Sequence, residues 1–326
     1  MSKQPFYNLR PNKSIDRSLF IQSLIGLSRV LPIPQYEYTG FGSYLFDDFK
    51  LIHDTLGVSK MVSLERDGVE YARACFNKPY NCIEIQNTSS SAYLSELDIT
   101  DEKHGIFWLD YTSPSDLGAQ LSDYATLLNK ANANDIIRIT LNANPDSLGR
   151  DPNPDTLQET RLKTLQKRVP SEYLFPDIKA EDVITKKYPL TLLKVLKAVT
   201  LESLTDDPPY SPGFFLPLFS CIYADGQQML TFTGIVLDSH EKEQEIRQAL
   251  SSQAHISFSW EDPCIIQIPH LTTREMTEIN KLLPNETDQQ KLIKEFPFIF
   301  SPQEIDAANS YISYYKYYPS YHKISF

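Results

Sequence analysis

The sequence predicts a doubly wound α/β fold. Its core is a mostly parallel, seven-stranded sheet closed by an antiparallel hairpin, with a helical insertion and a small C-terminal α+β module. Three observations carry this reading. Short apolar strands alternate with helical segments from residue 36 to residue 142. The strands lack the polar/apolar alternation of a half-exposed sheet, so both faces are covered. Two long apolar runs then flank Ala224-Asp225-Gly226, and an Asp-Gly pair favours a tight hairpin.

The elements follow in order. SIDRSLFIQSLIGLSRVL (14–31) places Ile15, Leu19, Leu24, Leu27 and Leu31 at helical spacing after Ser14, a candidate N-cap. Pro32 and Pro34 end that helix. Tyr36–Thr39 reads as a first strand, running into Gly40-Phe41-Gly42-Ser43, and a helix over 44–56 is closed by Gly57. KMVSLE (60–65) is the second strand, 68–76 a helix and NCIEIQ (81–86) the third strand. A Ser-rich connection leads to GIFWLD (105–110), a helix over 115–130 and DIIRITLN (135–142). NPDSLGRDPNPD breaks this rhythm with loop chemistry. Helices are expected at 157–168, 179–185 and 189–200, then the hairpin, a helix at 240–251, a strand in CIIQI (264–268) and helices near 272–283, 287–295 and 302–316. The organisation predicted is an N-terminal arm and helix (1–35), a Rossmann-like domain (36–144 with 201–238), a helical insertion (145–200) and a C-terminal module (239–326) of winged-helix-like type.

Composition bounds the function. The chain has 326 residues, with 31 Lys and Arg against 42 Asp and Glu, a net charge of −11. That excludes a protein coated in basic charge. Two local segments are richer in cations: residues 1–30, with Lys3, Arg10, Lys13, Arg17 and Arg29, and residues 157–200. They leave nucleic-acid binding open, beside the plainer reading of solvated faces. Cys75, Cys82, Cys221 and Cys264 form no CxxC pair, and the histidines show no ligand spacing, so no metal site is expected. No apolar run reaches the roughly 18 residues of a membrane span. The N-terminus MSKQPFYNLRPNKS has no apolar stretch, so the expected location is the cytoplasm.

Five strand–helix units closed by an antiparallel hairpin resemble the class I S-adenosylmethionine-dependent methyltransferase sheet over residues 30–238. The whole chain is similar to bacterial proteins grouped as O-methyltransferases. The shared features are NLRPNK, YTGFGS, LDYTSP and YADGQQMLT. The resemblance implies S-adenosylmethionine as cofactor. It places Tyr38, Gly40 and Gly42 beneath the methionine part, with glycine allowing close approach and φ > 0. Glu65, at the end of the second strand, would accept the ribose hydroxyls. Gln86, with Asn87 and Glu84, would lie beside adenine. Asp110, ending the fourth strand, would be a general base or orient the acceptor, with Tyr111 walling the pocket. Arg10 and Lys13 would meet an acidic or phosphate-bearing substrate, and a surface tether is the alternative. The segment after the fourth strand lacks the DPPY or NPPY of amino methyltransferases. Asp207-Pro208-Pro209-Tyr210 has those letters but follows a polar stretch, and a Pro-fixed linker explains it. Tyr311, Tyr314, Tyr315 and Tyr318 fall on one helical face, a core stripe before a stacking platform.

Three readings of function stand on these residues: a methyltransferase-like protein of unassigned acceptor, a non-catalytic scaffold or sensor subunit of a bacterial multiprotein system such as antiviral defence, and a nucleic-acid-binding protein. The second reading implies protein partners from the same operon. None implies a membrane.

Overall fold

The computed structural model of the chain describes residues 10–97, 104–204, 214–268, 271–288, 291, 296 and 302–319. Eight strands form one sheet: β1 (Glu37–Gly40), β2 (Lys60–Leu64), β3 (Ile83–Gln86), β4 (Gly105–Asp110), β5 (Ile136–Asn142), β6 (Phe214–Ala224), β7 (Gln228–Leu237) and β8 (Cys264–Ile266). Their order is β3-β2-β1-β4-β5-β7-β6-β8. β1 to β5 are parallel, and β7 pairs antiparallel with β5. The seven expected strands are all present, and the strand expected in CIIQI (264–268) extends the same sheet.

The helices are α1 (Pro11–Leu27), α2 (Asp47–Leu56), α3 (Gly68–Asn77), α4 (Ser90–Glu96), α5 (Leu117–Lys130), α6 (Pro154–Arg168), α7 (Tyr188–Ser203), α8 (His240–Leu250) and α9 (Thr273–Leu282), followed by a last helix, Pro302–Tyr314. Two corrections to the sequence reading stand out. The connection expected as Ser-rich loop contains α4, whose first turn is capped by the Ser89 hydroxyl accepting from the Ala92 N–H. α1 begins at Pro11 rather than at Ser14. Its cap comes from the hairpin turn, where the Asp225 carboxylate accepts from the N–H groups of Asn12 (3.3 Å) and Lys13 (2.8 Å).

The chain divides into two compact units. One comprises residues 1–19, 223–226 and 265–326; the other comprises 20–222 and 227–264. In the smaller unit Ile268 N–H donates to Asn12 Oδ1, and Tyr311 is buried with its hydroxyl donating to Asn280 Oδ1. Its ring meets Tyr318 edge-on, so this part of the tyrosine stripe is core.

In the larger unit β4 and β5 are buried almost throughout, as crossover helices on both faces require, while the edge strand β3 leaves Glu84 exposed. One face is covered by α5 and α7. Leu121, Tyr124, Leu127 and Leu128 share a core with Leu192, Leu193, Leu196 and Val199, and Tyr124 shares a hydrogen bond with Thr200 (2.9 Å). The stretch expected as an insertion thus supplies, in α7, a main covering helix. On another part of the sheet the register aligns Gly40, Trp108, Arg138 and Thr233 across β1, β4, β5 and β7. Arg138 is fully buried. Its guanidinium carbon lies 4.5 Å from the Trp108 ring centroid and 4.7 Å from that of Phe20, and its Nη1 donates to Thr233 Oγ1 (2.6 Å).

At the amino ends of β4 and β5, Asp135 is fully buried. It accepts from the N–H groups of Gly105 (2.7 Å) and Asn132 (2.8 Å), and His104 Nδ1 stands 3.8 Å away. Burial pushes its pKa up to about 7, against the opposing pull of those two backbone donors. Between the ordinary aspartate range near 4 and about 7 the folded chain keeps a proton that the unfolded chain has released, so stability falls as pH rises through that window, by up to about 1.4 kcal/mol per pH unit. Asp135→Asn, which cannot ionise, should be less stable than wild type near pH 5, where one backbone donor loses its acceptor. That difference should shrink toward pH 8. Thermal melts across the range check this, and a pH-independent difference would contradict it.

Candidate functional site

The site is built by strand register. β1 pairs Gly40 with Ser63 of β2 and with Trp108 of β4, and β2 pairs Leu64 with Gln86 of β3. The residues that follow these positions lie along one carboxyl edge: the Gly40–Ser43 turn after β1, Glu65 after β2, Gln86 and Asn87 at the end of β3, and Asp110 and Tyr111 at the end of β4. This edge is where ligands bind in open parallel sheets.

Each group has a local reason for its position. The N–H of Gly42 donates to Ser63 Oγ (3.1 Å), which ties the turn down onto β2. A Cβ on Gly42 would stand 2.7 Å from both Phe46 and Ser63 side-chain atoms, and one on Gly40 would stand 2.8 Å from the Tyr38 hydroxyl. The glycines are therefore fixed by the close packing of the loop. The positive φ expected at them falls instead at Ser43 (46°) and Phe46 (53°). Tyr38, expected against the cofactor, is 1% exposed and packs edge-on against Phe49 of α2, so it belongs to the core under the loop.

Glu65 is held on three sides. Its N–H donates to Gln86 O, its carbonyl accepts from Asn87 Nδ2 (2.8 Å), and its Oε1 accepts from the Asp67 N–H (3.1 Å). Asp67 in turn caps α3 by accepting from the N–H groups of Val69 and Glu70. Gln86 donates to Glu84 Oε1 (2.6 Å), which turns its amide along the strand end.

Asp110 ends β4 beside Thr140 of β5, and the Tyr111 N–H donates to Thr140 O (3.1 Å). The Tyr111 ring meets Phe41 of the glycine turn at 5.4 Å, edge to face. Its hydroxyl donates to Asp123 Oδ2 (2.6 Å), and that same oxygen accepts from Ser90 Oγ (2.6 Å). Asp123, on α5, is 5% exposed. Burial first, and then the neighbouring Asp123 carboxylate, raise the Tyr111 pKa far above its ordinary value. The phenol stays neutral and its proton is committed to Asp123. Tyr111 is therefore fixed in place, its ring on Phe41 and its neutral phenol on Asp123. Tyr93 of α4 adds a second hydroxyl, 3.4 Å from Thr39 Oγ1.

Ser90, Tyr93 and Asp123 were not singled out in the sequence. The cap residue Ser89 was the available signal for α4, whereas nothing marked Asp123, which reaches the edge from the middle of α5. The loop beyond Asp110 is fastened from α6, where Arg168 Nη1 donates to Pro114 O (2.9 Å) and Ser147 O (3.0 Å).

Arg10 and Lys13 lie in the other compact unit. Lys13 is 4% and Arg17 7% exposed, so the cations near the start of α1 do not form an open basic surface. The residues 207–210 lie outside the described residues. Among the described residues no group of three or more His, Cys, Asp or Glu could hold a metal ion, and no helix is long and apolar enough to cross a membrane.

Removing the Asp123 carboxylate strands two hydroxyls. Asp123→Ala should cost about 1–3 kcal/mol in urea unfolding, and Tyr111→Phe, which leaves Ser90 bonded, about 1 kcal/mol. Equal costs would mean the shared oxygen is not the link between α4, α5 and β4.

The residues fit S-adenosylmethionine in donor chemistry: a carboxylate at the β2 end, amides at the β3 end, and a carboxylate with an aromatic wall at the β4 end. Structures of similar chains include the N-methyltransferase NodS from Bradyrhizobium japonicum, at 8% identity and a TM-score of 0.38, covering 69% of this chain and 97% of that one. Another is described as "putative S-adenosylmethionine dependent methyltransferase" from Listeria monocytogenes, at 6% identity and a TM-score of 0.39, covering 66% and 98%. At such scores these likenesses carry no weight of their own. No curated protein matches the sequence. Residues 5–326 match the model of the family described as "Putative O-methyltransferase". With that match over nearly its whole length, the chain belongs to this family and is a methyltransferase-like protein of the class I type, its acceptor unassigned.

Proposed function

We propose that the carboxyl edge of β1–β4 binds S-adenosylmethionine and that the chain methylates a hydroxyl-bearing acceptor beside Asp110. One observation carries the reading. Glu65 follows β2, and Gln86 and Asp110 end β3 and β4, all in register with the Gly40–Gly42 turn. When bound, the cofactor supplies an electrophilic methyl group. The chain's own work is to bind, orient and take a proton. Glu65, its carboxylate turned by the Asp67 N–H, accepts the two ribose hydroxyls. Gln86 and Asn87 border the adenine. Phe41 and the immobile Tyr111 ring wall the reacting centre and exclude water. Asp110 accepts the acceptor's hydroxyl proton, which makes the oxygen a better nucleophile. The site of action in this proposal is the cytoplasm.

A second reading is favoured by the same wall. Tyr111 is packed on Phe41 and its proton is committed to Asp123, which suits a pocket that senses the cofactor without turning it over. The chain would then be a scaffold or sensor subunit with protein partners.

Calorimetry with S-adenosylmethionine and its demethylated product tests the binding site. Glu65→Ala should weaken both by about 1–3 kcal/mol, and unchanged affinity would remove Glu65 from the ribose. Asp110→Asn should leave binding within a few-fold while lowering turnover by about 10²–10⁴-fold, read by mass spectrometry of candidate acceptors. Binding without turnover on any hydroxyl acceptor supports the sensing subunit instead.

A further inference from the structure

We propose that Arg73 is a positioning residue of the cofactor site: stacked on Tyr44, its guanidinium holds the turn after β1 in the shape that receives S-adenosylmethionine. The inference rests on reading the carboxyl edge of β1–β4 as the cofactor site. It adds to that site a residue that acts through its neighbour.

The turn needs a hold from outside. Ser43 and Phe46 both stand in the left-handed region, with φ of 46° and 53°. A residue with a side chain is strained there, and such a conformation persists where neighbouring groups fix it. The two ends of the turn are fixed from beneath. Gly42 N–H donates to Ser63 Oγ, and Phe46 is fully buried with its ring edge-on to Phe49 at 5.7 Å. Between these ends Ser43, Tyr44 and Leu45 are half-buried, and Leu45 N–H donates to Ser43 Oγ over a long 3.4 Å. The hold on this middle stretch comes from α3. The guanidinium carbon of Arg73 lies over the Tyr44 ring, 3.4 Å from its centroid, which is contact distance. A planar guanidinium suits a ring face in a way that the ammonium of lysine does not.

α3 is also tied to the other half of the site. Asp67 caps the helix by accepting from the N–H groups of Val69 and Glu70, and its own N–H donates to Glu65 Oε1. One short helix thus joins the Glu65 carboxylate, at its start, to the glycine turn, through Arg73 further along. Ala74 is buried, whereas Arg73 is exposed to solvent. Losing the Arg73 side chain should therefore be felt in the turn and not in the stability of the whole unit.

Hydrogen–deuterium exchange of the ligand-free full chain and calorimetry with S-adenosylmethionine test this together. Arg73→Ala should speed exchange across residues 42–46 and weaken S-adenosylmethionine about two- to fivefold, with the melting temperature unmoved. Tyr44→Leu should do the same, and Tyr44→Phe, which keeps the ring face, should recover the affinity that Tyr44→Leu loses. The double variant Arg73→Ala with Tyr44→Leu should bind no more weakly than either single one. Unchanged exchange in the turn of Arg73→Ala overturns the proposal. So does an affinity loss matched by a fall in melting temperature, since the contact then supports the whole unit. Faster exchange with unchanged affinity overturns the positioning role and leaves the cofactor site standing. A wild type that binds neither S-adenosylmethionine nor its demethylated product overturns the cofactor reading itself, and Arg73 loses its role with it.

Discussion

The larger unit depends on a guanidinium buried in its sheet. Arg138 sits at the middle of β5 with no solvent exposure, and a buried charge costs several kcal/mol unless its surroundings replace water. Here the replacement is a cage. Trp108 of β4, Phe20 of α1 and Phe219 of β6 stand around the cation, and Thr233 of β7 accepts one of its protons. Trp108 is itself pinned, its indole N–H donating to Thr140 Oγ1 (3.0 Å). Three strands and a helix are thus gathered on one side chain, and because that side chain stands in the Gly40–Trp108–Arg138–Thr233 row, it also sets the register that aligns the functional edge. A lysine there would keep the charge but lose the planar face that stacks on rings.

Much of this fold was legible because its signals are local. KMVSLE, GIFWLD and DIIRITLN are apolar without alternation, and β2, β4 and β5 lie within a residue or two of those runs. The Asp-Gly pair marked the hairpin turn, where Gly226 takes a φ of 107°. What escaped depends on distant partners. Ser14 is a reasonable cap by sequence, but Asp225, more than two hundred residues away, caps the helix earlier. α4 was missed because seven residues containing three serines carry little helical preference. Its stability comes from Ser89 at one end, and from Lys130 Nζ donating to the carbonyls of Ser95 and Leu97 at the other.

The candidate site divides the same way. Glu65, Gln86 and Asp110 could be placed because a strand's last residue is readable from the strand. Tyr111 was expected to wall the pocket, and the carboxylate that holds its proton comes from α5, which no feature near Tyr111 in the sequence records. The glycines were expected to allow close approach and a positive φ, and the positive φ values fall at Ser43 and Phe46. The place of the glycines in the turn is set by Phe46, Ser63 and the Tyr38 hydroxyl pressing on the loop from beneath, and no local motif records a neighbour twenty residues away.

The insertion of β7 between β5 and β6 has a consequence for the chain as it is made. β5 finds β4 on one side among residues already synthesised, but its other edge pairs with β7, and Asn142 meets Met229. A ribosome delivering the chain from its N-terminus releases Ile136–Asn142 long before residues 228–237 exist. Through that interval an apolar strand with an open row of backbone donors and acceptors faces solvent, the arrangement most prone to pairing with the wrong chain. Arg138, in the centre of that strand, then carries its charge uncaged and hydrated. The residue that organises the finished sheet therefore also serves as a gatekeeper of the unfinished one.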